Sequence, residues 1–345
     1  MEPAQDTLER IAALKAQWGS RLVLLTHHYQ RPEVVRFGDF VGDSFGLAKA
    51  AAGTTAERIV FAGVHFMAQS AAILARPAQR VFMPDPAAGY PMAEMADLDD
   101  LQVAWDRLER RGTGHTVIPV AYMNSTAEVK AFVGQHEGIV CTSSKARAAM
   151  KWARAHGDCV LFLPDEYLGR NTARRMGMHR IAVWNPHAVE PQDEEALARA
   201  EVVLWKGYCH VHTLFTAAHV AAARLRYPGS RVLVHPECRP EVIDAADGDG
   251  STTWLAAAVE AAPPGSTLVI GTEVNLIRRL AQRYSDRTVV PLDTSLCPNM
   301  YRTSPAKLAH LLETFDPALE IKVDAKVAAA ARLALDRMLT LGGGG

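Results

Sequence analysis

The sequence predicts an α/β protein built from three small units, each a parallel strand layer covered by helices. One observation is a recurring segment: a short β-branched run, a polar signature at its end, then an alanine-rich amphipathic stretch. Strands alternating with helical segments in this way are joined by right-handed crossovers, which makes the sheets parallel. The second observation is grouping. The runs number about ten and fall into three sets, whereas a closed (βα)-barrel would distribute its strands through one continuous sheet. The expected boundaries are 1–100 for the first unit, completed by 298–345, then 101–208 and 209–297.

In chain order, the runs end in His27-His28-Tyr29-Gln30, Gly63-Val64-His65, Pro84-Asp85, Tyr122-Met123-Asn124-Ser125, Thr142-Ser143-Ser144, Pro164-Asp165-Glu166, Gly207-Tyr208-Cys209, His235-Pro236-Glu237-Cys238, Gly271-Thr272-Glu273 and Pro291-Leu292-Asp293. Helices are expected over Ser44–Ala52, Thr126–Val133, Lys145–Ala155, Thr213–Arg226 and Leu276–Arg283, several opened by hydroxyl or amide residues suited to N-caps. The stretch Trp184–Ala200, with Pro186, Pro191 and Asp193-Glu194-Glu195, reads as a surface excursion followed by a short helix.

Composition narrows the function. The 345 residues, 49% hydrophobic and 22% charged, support a substantial core. A net charge of −1 and a pI near 6.9 give no electrostatic footprint for nucleic acid or an anionic membrane. No apolar run reaches bilayer-spanning length, and Met1–Arg10 carries acidic residues and no signal-peptide core, so a cytoplasmic protein is expected. Five cysteines, Cys141, Cys159, Cys209, Cys238 and Cys297, lack CxxC spacing, which argues against a disulfide framework or a zinc ribbon.

The most chemically loaded stretch is Val232–Pro240, where an apolar run stops at His235, Glu237 and Cys238. At the carboxyl end of a parallel strand these side chains reach the ligand crevice. Downstream, Asp247–Thr253 offers hydroxyls and backbone N–H groups at a helix start, a cradle for an anion. An acid/base group beside an anion cradle suits an enzyme of small acidic molecules.

These motifs together, in this order, resemble the quinolinate synthase family. Thr26–Glu33, Asp39–Ser44, Gly63–Ala68, Tyr122–Ser125, Cys141–Ser144, Leu168–Asn171, Gly207–His212, His235–Cys238 and Gly271–Glu273 all take part, so the resemblance covers nearly the whole chain. It implies pseudo-threefold α/β domains around a central cavity and a [4Fe–4S] cluster held by one cysteine per domain. It further implies condensation of iminosuccinate with dihydroxyacetone phosphate, with an aspartate-oxidising enzyme as partner. By resemblance, Glu237 does acid/base work with Tyr29, His27 and His235 near the reacting atoms. Ser44, Tyr122, Asn124, Ser143, Ser251 and Thr252 match positions that hold substrate carboxylates or phosphate or line the cavity.

The cysteines depart from the family pattern. Cys209 and Cys297 match two cluster ligands, but the third is expected in an Ala-Gly-Cys sequence where this chain reads Ala88-Gly89-Tyr90. Tyr90 therefore stands at a metal position with a harder donor that ordinarily titrates near ~10. Lys145 in place of Asn, Thr253-Trp254 in place of Ser-Gly, Thr213-Leu214 in place of Glu-Arg and His28 in place of Tyr are further departures. Three expectations follow: an iron–sulfur quinolinate synthase with fewer cysteine ligands than usual, a diverged paralogue with another product, and a cluster-free anion binder.

Overall fold

The computed structural model describes residues 5–110 and 115–341. Among these, thirteen strands form three fully parallel sheets. The first contains β1 (Leu22–His27), β2 (Phe40–Gly42), β3 (Arg58–Ala62) and β4 (Arg80–Phe82) in the order β2-β1-β3-β4. The second contains β5 (Val117–Tyr122), β6 (Ile139–Cys141), β7 (Cys159–Leu163), β8 (Ile181–Trp184) and β9 (Val202–Trp205) in the order β6-β5-β7-β9-β8. The third contains β10 (Arg231–Val234), β11 (Gly248–Asp249), β12 (Thr267–Gly271) and β13 (Thr288–Pro291) in the order β11-β10-β12-β13.

One topology is thus used three times. Each sheet starts with a central strand, steps to one side, then crosses back to the other. In such sheets the reversal opens a crevice at the carboxyl ends of the first and third strands, where ligands bind. His27 and Gly63 follow that rule in the first sheet, Tyr122 and Pro164 in the second, His235 and Thr272 in the third. The three sheets and the absence of a closed barrel agree with the expected fold class.

The ten apolar runs read from the sequence all form strands. The three strands that were not expected, β2, β8 and β11, are each at a sheet edge and only two to four residues long. Edge strands pair on one side and need no continuous buried run, so their sequence signal is weak. Two helical expectations are corrected. The predicted helix Thr213–Arg226 is broken: His210–Thr213 forms a single turn and Ala217–Arg226 a separate helix. Ser44 is not the cap of its helix, because Asp43 takes that role, its carboxylate accepting from Gly46 N at 2.9 Å.

The chain divides into two compact units. One holds the residues up to Tyr90 with Ala217–His235 and Ala245–Val323, and the other Pro91–Thr216 with Pro236–Asp244 and the chain from Asp324 on. In the first unit, Ile11, Leu24, Val60, Phe82, Leu311 and Leu312 form one fully buried cluster between the first sheet and the helices Gln5–Trp18 and Pro305–Thr314. In the second, the C-terminal helix Ala325–Thr340 packs along helix Ala127–Gln135, and Arg337 donates to Gly138 O at 2.6 Å. A Cβ on Gly134 would sit 1.9 Å from Ala330 O, so the two helices approach this closely only because Gly134 has no side chain. No helix among the described residues is long and apolar enough to cross a membrane.

Candidate active site

In the second unit the loop after β9 delivers Cys209 to the start of the turn His210–Thr213, which places Cys209 and His212 three residues apart on one helical face. The loop is held from both sides. Gly207 passes so near Pro164 that a Cβ would lie 2.3 Å from its carbonyl oxygen, and Trp205 donates its indole N–H to Met95 O at 2.6 Å. Facing His212 is Glu237, whose Oε2 lies 2.5 Å from His212 Nδ1, with both side chains about 2% exposed. Cys209, His212 and Glu237 offer a sulfur, a nitrogen and an oxygen donor atom that all fall within 4.8 Å of one another.

The Glu237 loop is itself clamped. Asn171 donates both amide hydrogens, to Pro236 O at 3.0 Å and to Cys238 O at 2.8 Å, so the backbone on either side of Glu237 is pinned to helix Glu166–Arg175. Asp165 caps that helix through Leu168 N at 2.7 Å and is completely buried. Burial, reinforced by the charge of Glu237, pushes its carboxyl well above the usual range, and its Oδ2 has no hydrogen-bond partner. Burial likewise lowers the pKa of His210. Also in this unit, Tyr122 ends β5 and Asn124 follows it, both buried, with Asn124 Oδ1 unpartnered. Half-buried Ser143 follows the neighbouring strand β6, whose Cys141 O accepts from Met123 N at 2.7 Å.

In the first unit, Tyr29 joins two sheets: its hydroxyl is 2.7 Å from Thr272 Oγ1, after β12. Its backbone N–H donates to Nδ1 of buried His27 at 3.2 Å, and the two rings meet edge to face at 4.7 Å. His235 is buried and donates its backbone N–H to Gly271 O at 3.1 Å. Buried Ser251 caps helix Thr252–Glu260 through Trp254 N at 3.3 Å, and Thr252 Oγ1 beside it is buried without a partner. Ser44, half-buried, follows β2, whose Gly42 O accepts from His28 N at 3.2 Å. Cys297 is buried after β13, and its backbone N–H donates to the Glu273 carboxylate. Tyr90, 7% exposed, sets its ring against Phe66 at 5.4 Å.

Against these structural particulars, the chain matches the family model described as "NadA: Quinolinate synthetase A protein" over residues 9–340. The chain belongs to the quinolinate synthase family. It is 49% identical to a quinolinate synthase of Acidobacterium capsulatum, over 99% of this chain and 94% of that protein. It is 48% identical to one of Corynebacterium glutamicum, over 96% of this chain and 86% of the relative, and 45% identical to one of Halobacterium salinarum, over 96% and 91%. This chain is an enzyme of the quinolinate synthase type, and the family is one of iron–sulfur enzymes.

Four side chains have roles that the sequence alone does not assign: His212, Asp165 and Asn171 around Glu237 in one unit, and Thr272 beside Tyr29 in the other. His212 lies one turn after Cys209, a spacing legible in Cys209-His210-Val211-His212. Asp165, Asn171 and Thr272 lie inside strand-end signatures and motifs of the chain, but nothing in those motifs gives each its individual role. A cap, a helix amide and a loop hydroxyl are ordinary local features, and only distant partners give them a role here.

Proposed function

We propose that this chain condenses an iminosuccinate-type dicarboxylate with dihydroxyacetone phosphate and expels phosphate and water to close the pyridine ring of quinolinate. The observation that carries the reading is the buried, clamped carboxylate of Glu237 against His212 and near the high-pKa carboxyl of Asp165. Ring closure moves protons repeatedly between carbon and departing oxygen. A carboxylate withdrawn from water and fixed by its neighbours is suited to that work, typically contributing roughly 10²–10⁴-fold. Tyr29, fixed by Thr272, together with His27 and His235 supplies further groups at the strand ends.

The substrate's anions have matching partners. The start of helix Thr252–Glu260, with Ser251 and the unpartnered Thr252 hydroxyl, suits a phosphate, because helix N-termini present free N–H groups. Asn124 Oδ1 suits an imine or amine hydrogen, and Ser44, Tyr122 and Ser143 suit carboxylates. Iminosuccinate hydrolyses readily as a free imine, which favours supply by an aspartate-oxidising enzyme in the same compartment, the cytoplasm.

The family's cluster needs a separate test. Tyr90, Cys209 and Cys297 follow the equivalent strands β4, β9 and β13 of the three sheets, so the repeat has one donor per sheet. Yet one donor is a phenol buried against the ring of Phe66, a hard oxygen poorly matched to a sulfide-rich cluster. Cys209, for its part, has one nitrogen donor, of His212, and one oxygen donor, of Glu237, within 4.8 Å. This donor set does not fit a [4Fe–4S] cluster held by three thiolates.

That mismatch supports a second reading, a paralogue with an altered cluster site that keeps the acid/base and anion-binding residues and releases another product. Trp254 adds to it: its ring covers Gly250 so closely that a Cβ there would lie 2.4 Å from the indole, yet it stays 40% exposed beside the proposed phosphate cradle. Anaerobic assay of the purified chain with both substrates tests the two readings. Quinolinate from the parent supports the first. Quinolinate only from Tyr90→Cys supports the second, and none from either overturns the ring-forming assignment.

A further inference from the structure

We propose that Cys209 Sγ, a ring nitrogen of His212 and a carboxylate oxygen of Glu237 bind a single divalent transition-metal ion of the zinc or ferrous class, with a fourth position open. The donor types come first. One thiolate, one imidazole and one carboxylate make a mixed set of borderline softness, matched to zinc or ferrous iron and poorly matched to magnesium or calcium, which take oxygen ligands. Three protein ligands with one vacant position is the arrangement of ions that activate water or a substrate oxygen.

Geometry agrees. Ligand atoms about 2.0–2.3 Å from a tetrahedral ion lie roughly 3.3–3.8 Å apart. The donor atoms here lie within 4.8 Å of one another, with the nitrogen and one carboxylate oxygen at 2.5 Å, so small side-chain rotations suffice. Monodentate binding through one oxygen of Glu237 leaves its other oxygen for proton transfer. All three side chains are at most 2% exposed, which keeps competing water out.

The surroundings are those of a fixed site. Cys209 and His212 share one helical turn, and Asn171 holds the carbonyls on both sides of Glu237. Such outer partners orient ligands before the ion arrives. Asp165 Oδ2, buried and without a hydrogen-bond partner, adds a polar atom to the same unit. Nothing in this set depends on Tyr90 or Cys297, so the site survives the loss of the family's third thiolate. Nor does it depend on which product the enzyme releases.

Cobalt(II) is the probe, titrated into the full chain after metal removal. The expected result is one cobalt per chain, a thiolate-to-cobalt charge-transfer band and intense d–d bands of tetrahedral geometry. His212→Ala should weaken binding by at least about 100-fold, beyond the 10–100-fold typical of outer partners, while Cys297→Ser retains it. If His212→Ala does not fold, Glu237→Gln, which preserves shape, makes the same comparison. No cobalt uptake, uptake without the thiolate band, or any other pattern across these variants overturns the proposal. So do about four iron and four sulfide per chain after anaerobic reconstitution, retained in His212→Ala and lost in Cys297→Ser. A cobalt site without quinolinate formation leaves this proposal standing and counts against the ring-forming reading; quinolinate formation with a four-iron cluster and no cobalt site does the reverse.

Discussion

Glu237 and Glu273 both follow strands of the third sheet, after β10 and β12, and both are buried almost completely. Their partners differ. Glu273 caps its own helix, accepting from Asn275 N at 2.8 Å and Asn275 Nδ2 at 3.0 Å, and it also accepts from Cys297 N. Burial outweighs those hydrogen bonds and raises its pKa to about 8. Glu237 instead faces an imidazole, and its charge acts on a second carboxyl. Backbone amides hold a carboxylate in place and cannot exchange protons with it, whereas titratable side chains can. The same residue type after two strands of one sheet therefore caps a helix in one loop and, on the function proposed above, moves protons in the other.

The sharpest test of that contrast is Glu237→Gln. It should fold normally and lower turnover by roughly 10²–10⁴-fold, because the amide keeps the shape and cannot move protons. Steady-state kinetics with either product assay checks this, and unchanged turnover would make Glu237 structural like Glu273.

A smaller effect, in stability, extends the comparison to a buried cation. Lys130 is fully buried, donates to Ser125 O and has its pKa lowered by burial from 10.5 to about 7. Between pH 7 and 10.5 the unfolded chain therefore binds more protons, so this group makes stability rise with pH across that window. Lys130→Met should remove that slope. The wild type should gain on the variant, by on the order of a few kcal/mol, as urea midpoints are compared from pH 7 to pH 10.

For Glu273, loss of the cap in Glu273→Ala should cost about 0.5–2 kcal/mol in chemical denaturation. Its turnover should fall far less than that of Glu237→Gln; an equal fall would erase the distinction between the two glutamates. The smallest expected change in stability is in Tyr29→Phe, which removes the bond to Thr272. That bond should contribute about 0.5–1.5 kcal/mol, seen as a lower denaturation midpoint. Double substitution with Thr272→Val should cost less than the sum of the singles, since the two hydroxyls serve each other.

Much of this architecture could be read from the chain because it is local. A β-branched run ending at His27, Tyr122 or His235 followed by an alanine-rich stretch specifies strand, turn and helix within about 25 residues, and its recurrence implied three parallel sheets. The motifs at those strand ends also pointed to Glu237, Cys209 and the anion-cradle residues, since in a parallel sheet the carboxyl ends face the crevice. What stayed hidden was short or distant. The edge strands β2, β8 and β11 bury too little to impose a pattern, and the break at Leu214–Thr216 interrupts a sequence that reads as continuous helix. Above all, His212 and Glu237 stand 25 positions apart, and Asn171 reaches Pro236 and Cys238 from 65 and 67 positions away. Local spacing carries no information about which loops meet. The packing of the loops after β7 and β9 against the Glu237 loop decided that meeting.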